Sequence, residues 1–172
     1  IYGGSNQSGA ISGNVDIRVR GGTLGTLETV DSDRIFGGGK GRSTSINGNA
    51  SIYINDRKNN LTIYGNTFGG SEAGGVAGNS IVTMEDRYVS ANSITYSGII
   101  FGGGKGVGAT ATNGANSTVI VDGGTYQGLT IFGGCDISGT IEGNILVKVG
   151  EKNTTKVGSV YGAGRNSRVT NV

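Results

Sequence analysis

Several residue types that support enzyme or metal chemistry are missing or scarce in this 172-residue chain. There is no histidine, which removes the commonest general base and metal ligand. There is also no proline, so the 36 glycines cannot belong to a collagen triple helix, and they argue against a flexible linker. The only cysteine, Cys135, has no partner in the chain for an internal disulfide.

The charges and the apolar residues exclude two classes of partner. The chain has 14 basic and 12 acidic residues, a net charge of +2, and both signs are scattered. Because no run of lysine and arginine forms a phosphate-binding stripe, we expect no nucleic-acid partner. No apolar stretch approaches the roughly 18 residues that suggest a membrane span, so we expect no membrane partner.

The dominant feature that is present is a repeat of a hydrophobic or β-branched residue, an aromatic residue and two glycines. The clear copies begin at Ile1, Ile35, Thr67, Ile100 and Ile131, and a looser copy begins at Val160. Successive starts are 34, 32, 33, 31 and 29 residues apart. A period in this range indicates a repeat architecture, in which each unit cannot bury its apolar face alone.

Each unit carries a second signature, a glycine followed by asparagine or alanine, and then its strongest strand. These steps begin at Gly13, Gly48, Gly78, Gly114 and Gly143. The segments that follow alternate with period two and are rich in β-branched residues, which predicts strands. The residues expected to be buried in them are Ile17, Ile52, Val82, Val119 or Ile120, and Val147. Frequent glycines and the lack of three-and-four spacing argue against helices.

These units predict an all-β fold, a parallel β-solenoid of about five and a half units of 29–34 residues. Stacked units pair each strand with its counterpart at about 4.8 Å, so the inward residues form continuous apolar ladders. The usual handedness of parallel crossovers predicts a right-handed β-helix. We expect residues 1–172 to form a single solenoid segment of a longer repeat protein, because the chain opens on one repeat and stops partway through another.

The spacing predicts columns of equivalent residues that stack from one unit to the next. The phenylalanines of the repeat, Phe36, Phe68, Phe101 and Phe132, should stack in register. The glycines after them indicate a positive φ or a close backbone approach. The asparagines of the glycine–asparagine step should hydrogen-bond from one unit to the next. Cys135 occupies a column otherwise filled by serine and glycine, so we expect a small buried residue rather than a reactive thiol.

Two glycine-rich motifs suggest ligand binding at first sight. Gly37 to Gly41 and Gly102 to Gly106 both read Gly-Gly-Gly-Lys-Gly. They lack the spacing and the helix of a phosphate-binding loop, and Ser43 stands where a calcium-binding nonapeptide needs aspartate. We therefore interpret these segments as solvent-facing turns, each with a solubilising lysine.

The acidic residues do not form a recognisable catalytic pair. We interpret the 12 acids as occupying non-equivalent repeat positions, and Asp31 and Asp33 are the densest local pair. A carbohydrate-active β-helix would need clustered acid and base groups. The sequence thus predicts no enzyme activity, no catalytic, cofactor-binding or metal site, and no cofactor.

The repeat resembles one found in large surface proteins of gut-dwelling Gram-positive bacteria. The resemblance covers nearly the whole chain, and it is carried by Ile1-Tyr2-Gly3-Gly4, Ile11-Ser12-Gly13-Asn14, Val15-Asp16-Ile17-Arg18-Val19, Gly21-Gly22-Thr23-Leu24-Gly25 and Asp122-Gly123-Gly124-Thr125-Tyr126. The second and third units depart most, since 56–60 and 86–88 replace the Gly-Gly-Thr turn. The resemblance implies a glycine-rich, adhesin-like or fibre-forming protein, extracellular or on the cell surface.

We therefore expect a structural or adhesive segment of an extracellular bacterial surface fibre. Its expected partners are neighbouring repeat units, or further copies by end-to-end self-association, with host or matrix glycans as additional partners. The alternative is a carbohydrate-active or carbohydrate-binding β-helix domain. The aromatic residues that could serve that alternative are Tyr53, Tyr88, Tyr96 and Tyr126, although they do not share one repeat position.

Overall fold

A computed structural model describes residues 1–29, 31–55, 60–86, 94–107, 111–166 and 168–169. Apart from one 3-10 turn at Leu27–Thr29, the regular structure within these ranges is entirely β. The first three circuits of the chain visit four sheets in turn and the later ones visit three, so that each strand pairs with strands about one repeat away. One such circuit is called a coil below.

Sheet 1 has six strands and sheet 2 has five. Sheet 1 consists of β1 (Ser8–Ile11), β5 (Ser43–Ile46), β9 (Gly75–Val76), β13 (Ala111–Asn113), β16 (Gly139–Ile141) and β19 (Arg168–Val169). Sheet 2 consists of β2 (Val15–Val19), β6 (Ala50–Asn55), β10 (Ser80–Glu85), β14 (Ser117–Asp122) and β17 (Ile145–Val149).

The other two sheets differ in extent, because sheet 3 has strands in the first three coils and sheet 4 continues to β18. Sheet 3 consists of β3 (Gly22–Leu24), β7 (Leu61–Tyr64) and β11 (Ile94–Ser97). Sheet 4 consists of β4 (Asp33–Phe36), β8 (Asn66–Phe68), β12 (Ile99–Phe101), β15 (Gly124–Phe132) and β18 (Thr155–Tyr161), with Tyr2 bridged to Phe36 below β4.

Equivalent residues of successive units lie directly above one another. All the pairings between these strands are parallel, and in sheet 2 Ile52 aligns with Val82, which aligns with Val119. The six aromatic residues of the repeat therefore occupy six successive levels of the stack. This arrangement confirms the predicted all-β parallel β-solenoid.

The main core fills the interior of the coils with aliphatic side chains from sheets 2, 3 and 4. As predicted, Ile52, Val82 and Val119 are buried, and the register selects Val119 over Ile120, which is only half-buried. Ile17 and Val147 occupy the same column but are only partly buried, because they lie in the two outermost strands of sheet 2. The prediction of full burial was wrong at these two ends.

Candidate functional site: the aromatic ladder and its charged cover

The aromatic residues of the repeat form a second core outside the aliphatic one. Phe36, Phe68, Phe101 and Phe132 are buried in their own cluster, whereas their strand neighbours such as Ile35 point into the main core. Neighbouring ring centroids lie 4.7 to 5.2 Å apart, with interplanar angles of 2° to 10°. The predicted stack is confirmed, and Tyr2 and Tyr161 extend it at either end.

The glycines that follow each ring are required by close backbone approach. A Cβ atom on Gly37 would lie 2.1 Å from the carbonyl oxygen of Gly69, and one on Gly69 would lie 2.1 Å from that of Gly102. Their φ angles are not in the positive range, unlike those of Gly65 and Gly98, which precede the aromatic strands. Of the two reasons predicted for this glycine pair, close approach therefore applies, since real Cβ atoms are not found so near a carbonyl oxygen.

A charged column lies four residues after each aromatic residue. From the first level to the last it reads Asn6, Lys40, Glu72, Lys105, Asp136 and Arg165. The register is fixed by backbone hydrogen bonds, in which each residue of this column from Lys40 onward donates its N–H to the carbonyl of the small residue one level below. The five charges thus alternate in sign along the axis, so each adjacent pair attracts.

This column corrects two interpretations of the sequence. Glu72 and Asp136 share one repeat position, and Glu85 aligns with Asp122 in sheet 2, so the acids are not all at non-equivalent positions. Lys105 is not a solvent-facing solubilising residue. It is half-buried and forms an ion pair with Asp33, which comes from the edge of β4.

Two side chains of the column contact the aromatic stack. The Arg165 guanidinium lies 5.5 Å from the centre of the Phe101 ring, a cation–π contact, and its Nη2 atom is 2.6 Å from Oδ1 of Asp136. At the other end the hydroxyl of Tyr2 donates to Glu72. We give the name charged cover to Asp33 and the five charged residues of the column, Lys40, Glu72, Lys105, Asp136 and Arg165, of which Lys40 is exposed.

Asp136 is the most deeply buried acid of the charged cover. Its side chain is only 3% exposed, and burial raises the pKa of its carboxyl group, while Arg165 and Lys105 oppose that increase. Its ionised form is therefore dependent on the cations on either side of it in the column. A buried carboxylate held in this way costs free energy once its partner is removed.

A polar ladder of asparagines runs along the N-terminal ends of the strands of sheet 2. Asn14, Asn49, Asn79, Asn116 and Asn144 form it. The side-chain oxygen of each lower asparagine accepts the backbone N–H of the next one at 2.8 to 3.1 Å. The side-chain amides of Asn79 and Asn116 add a second bond to the same oxygens. This confirms the predicted asparagine ladder. In each of these backbone bonds the upper asparagine is the donor and the lower one is the acceptor.

Asp122 closes the corner between β14 of sheet 2 and β15 of sheet 4, and between β17 and β18 in the coil above. Its carboxylate accepts the backbone N–H groups of Lys152 and Asn153 at 3.0 Å and the side-chain amide of Asn153 at 2.9 Å. Burial alone would raise the pKa of Asp122, but these hydrogen bonds outweigh it and lower the pKa. The ionised carboxylate therefore holds the next coil's turn in place.

Two of the four tyrosines named as candidates for sugar binding are buried in the core. Tyr96 and Tyr126 are 5% and 4% exposed and belong to the main core, where burial raises the pKa of both phenols. Tyr53 is half-buried, and its hydroxyl donates to Glu85. Tyr88 lies outside the described residues. Two of the four candidates thus have no ring face available for a ligand.

Cys135 fits the small-residue column as predicted. It is fully buried, and burial raises the pKa of its thiol to about 11. At neutral pH the sulfur is protonated and is therefore a poor nucleophile. A Cβ atom on Gly103 would lie 2.4 Å from this sulfur, so the larger side chain is accommodated by the glycine one level below.

One surface groove in the described part of the chain offers little for catalysis. It has a volume of about 530 Å³ and lies beside sheets 3 and 4, where its exposed lining includes Thr95, Thr125 and Gln127. Among its described lining residues Asp31 is the single carboxylate, so these residues contain no acid pair. Among the residues that the structure describes, no three His, Cys, Asp or Glu side chains converge to hold a metal ion.

Comparison of the chain with protein-family models, curated proteins and solved structures finds no match. In the described parts of the chain, no helix has the length and apolar character needed to cross a membrane. The fold and the ladders therefore define the chain as a parallel β-solenoid, and anything more specific rests on its own residues.

Proposed function

We propose that this β-solenoid is a structural or adhesive segment of an extracellular bacterial surface fibre. The observation that carries the proposal is the continuity of its ladders. The aromatic stack and the asparagine ladder both run through the whole stack and bond each coil to its neighbours. Such a structure is lengthened by adding coils, without redesign of the coils already present.

The contacts of the buried acids and the cysteine support a mechanical role over a catalytic one. The buried carboxylates Asp122 and Asp136 are engaged in holding coils together, and the Cys135 thiol is buried. We propose no enzyme activity and no cofactor for this segment. The alternative of sugar binding through the tyrosines is weakened by the burial of Tyr96 and Tyr126.

The adhesin-like identity and the cell-surface location are supported by the sequence resemblance. The repeated aromatic–glycine corner, the glycine–asparagine step and the strand after it are the features that carry this resemblance. Each has a defined structural purpose here: close packing of coils, a hydrogen-bonded edge and the aliphatic core. We propose that the protein presents these coils outside the cell, where host or matrix glycans are available partners.

Immunolabelling of the producing cells tests this proposal. Antibodies raised against the folded segment should label intact cells as strongly as permeabilised cells, and immunogold particles should lie beyond the envelope. Labelling that appears only after permeabilisation would contradict an extracellular fibre. Treatment of intact cells with a broad-specificity protease is the matched control, since it should abolish the labelling.

A further inference from the structure

The two Gly-Gly-Gly-Lys-Gly segments have the same sequence but place their lysines in different surroundings. Lys40 is exposed, whereas the side chain of Lys105 is 21% exposed and forms an ion pair with Asp33. The Asp33 side chain is covered to a similar extent, with 19% exposed. A primary amine and a carboxyl group are the two reactants of amide formation, and the fold holds them here in direct contact.

Both reacting groups are carried by backbone that is paired to neighbouring levels. Lys105 donates its N–H to the carbonyl of Ser71 below, and its own carbonyl accepts the N–H of Ile137 above. Asp33 begins β4, where it pairs with Asn66 of β8. Two groups held in one reactive geometry behave as if their concentration were as high as roughly 10⁵–10⁸ M. The fold therefore supplies the proximity that amide formation between free molecules lacks.

Asn66 orients the carboxyl group of Asp33. Its Nδ2 atom donates to Oδ1 of Asp33 at 3.4 Å and to the carbonyl of Asp31 at 3.2 Å. The orientation of this amide is determined, because its oxygen accepts the backbone N–H of Ile99 at 2.9 Å. The ammonium of Lys105 contacts the other oxygen of Asp33, Oδ2. An attack on the carboxyl carbon places negative charge on Oδ1, where the Asn66 amide can stabilise it.

Asp136 provides an acid–base group beside this pair. It lies on the level above Lys105 in the charged column, and it interacts electrostatically with both Lys105 and Asp33. Burial raises the pKa of its carboxyl group, so its protonated form is more populated at neutral pH than that of an exposed aspartate. A carboxyl group of this kind can accept a proton from the amine and return it to the oxygen that leaves.

Two surface ion pairs of the chain show how this contact differs from an ordinary one. Lys148 and Glu151 lie three residues apart in the chain, and their side chains are 36% and 45% exposed. Arg18 and Asp16 are also exposed, and a guanidinium stays protonated and is therefore a poor nucleophile. The contact with Asp33 instead combines a lysine amine, partial exclusion of water and partners fixed on separate coils.

We propose that Lys105 and Asp33 condense to an intramolecular isopeptide bond. In this step the lysine Nζ forms a bond to the aspartate Cγ, and the bond from Cγ to Oδ2 breaks. One of the three ammonium hydrogens stays on the amide nitrogen and two leave with Oδ2 as water, so the step needs no oxidant, reductant or activated donor. Oδ1 becomes the amide carbonyl oxygen and keeps its hydrogen bond to Asn66. The product links two levels of the stack, and unlike an ion pair it is not weakened by salt.

The intact mass of the 172-residue chain tests this proposal. After prolonged incubation of the folded chain at neutral pH, we expect the denatured chain to be lighter than its sequence mass by one water molecule. Tryptic digestion should then give a branched peptide in which Lys105 is uncleaved and joined to the segment that contains Asp33. A chain that keeps its full sequence mass would overturn the proposal. The result does not depend on cell-surface labelling, so its failure is separable from failure of the fibre proposal.

Three variants assign the lost water to this pair of residues. Lys105→Arg keeps a positive charge beside Asp33 but removes the amine, so this variant should keep its full mass. Asp33→Ala removes the carboxyl group and should give the same result. Lys40→Arg, in the segment of identical sequence, is the matched control and should still lose one water. The mass of the parent chain remains decisive even if one of these variants fails to fold.

A rival reaction with the same change in mass is available at Asp122-Gly123. An aspartate followed by glycine can close to a succinimide, which also releases one water. A loss of water that persists in both Lys105→Arg and Asp33→Ala would assign it to such a ring and overturn the proposal. A loss confined to chains that contain both Lys105 and Asp33, together with the branched peptide, would support the isopeptide bond.

Discussion

The inner and outer coils of the solenoid share one backbone register but differ sharply in burial. Phe68 and Phe101 are fully buried, whereas Tyr2 and Tyr161, at the same repeat position, are 39% and 52% exposed. This difference in burial does not arise within a single coil, because all of these rings occupy the same position in one continuous stack. Each coil is therefore buried by its neighbours, and stability is approximately a sum of coil–coil interfaces.

The aromatic stack should show the largest contrast between inner and outer coils. Phe101→Ala removes a ring that is packed on both faces, and we expect it to lower the free energy of unfolding by about 3–5 kcal/mol. Tyr161→Ala should cost less than about 1.5 kcal/mol, because half of that ring is already in solvent. Urea unfolding followed by circular dichroism measures both. Equal losses would refute the nearest-neighbour picture.

A similar contrast should appear in the aliphatic core. Ile52→Ala should cost about 2–5 kcal/mol, since Ile52 is 1% exposed and lies between strands on both sides. Ile17→Ala, in the outermost strand of the same sheet, is the matched control and should cost clearly less. An Ile52→Ala protein that melts like the parent would show that the core assignment is wrong.

The asparagine ladder should give a smaller effect of the same kind. Asn79→Ala removes the acceptor used by Asn116 and the amide bonded to Asn49, so we expect a loss of about 1–3 kcal/mol. Asn144→Ala loses no acceptor that a described residue uses, and it should cost less than about 1 kcal/mol. Amide hydrogen exchange at Asn116 provides a local readout, and unchanged protection in Asn79→Ala would contradict the ladder's role.

The smallest effect concerns pH and the corner at Asp122. Because the folded-state pKa of Asp122 is lowered, its stabilising contribution is present above the unfolded pKa, near 3.8, and is lost as the pH falls through the folded value. Asp122→Asn should therefore cost about 1 kcal/mol at pH 7. The difference from the parent should narrow below pH 3, as measured by thermal melts. A difference that widens in acid would mean that the direction of the shift is wrong.

The features predicted from the sequence are those in which one residue type recurs at a nearly fixed spacing. Phe36, Phe68 and Phe101 are identical in type, and so are Asn49 and Asn79, so their stacking could be inferred from spacing alone. The solenoid itself follows from the same spacing. The sequence also placed Cys135 correctly, because the other members of its column are small.

The charged cover was missed because its repeat is hidden by alternation of sign. A search for recurring acids finds Glu72 and Asp136 two units apart, with lysine between them. Counting four residues from each aromatic residue, irrespective of charge, would have found the column. The ion pair between Lys105 and Asp33 spans two levels of the stack, and no spacing rule along the chain indicates it.

Tyr96 and Tyr126 were wrongly taken as exposed for a different physical reason. A tyrosine can serve an exposed platform or a core, and the sequence pattern does not distinguish the two. Register does: Tyr96 aligns with Ile63, and Tyr126 aligns with Val157, both inward-facing positions. Their rings therefore substitute for aliphatic side chains in the interior.

The hydrogen bonds between coils run along the axis of the stack, and this has a mechanical consequence. A pull on the two ends of the chain loads the outermost interface first, because each coil is attached only to the coils beside it. Coils should detach one at a time, and each releases about 30 residues, or roughly 100 Å of extended chain. Under tension the segment would thus lengthen in steps and dissipate work at each one.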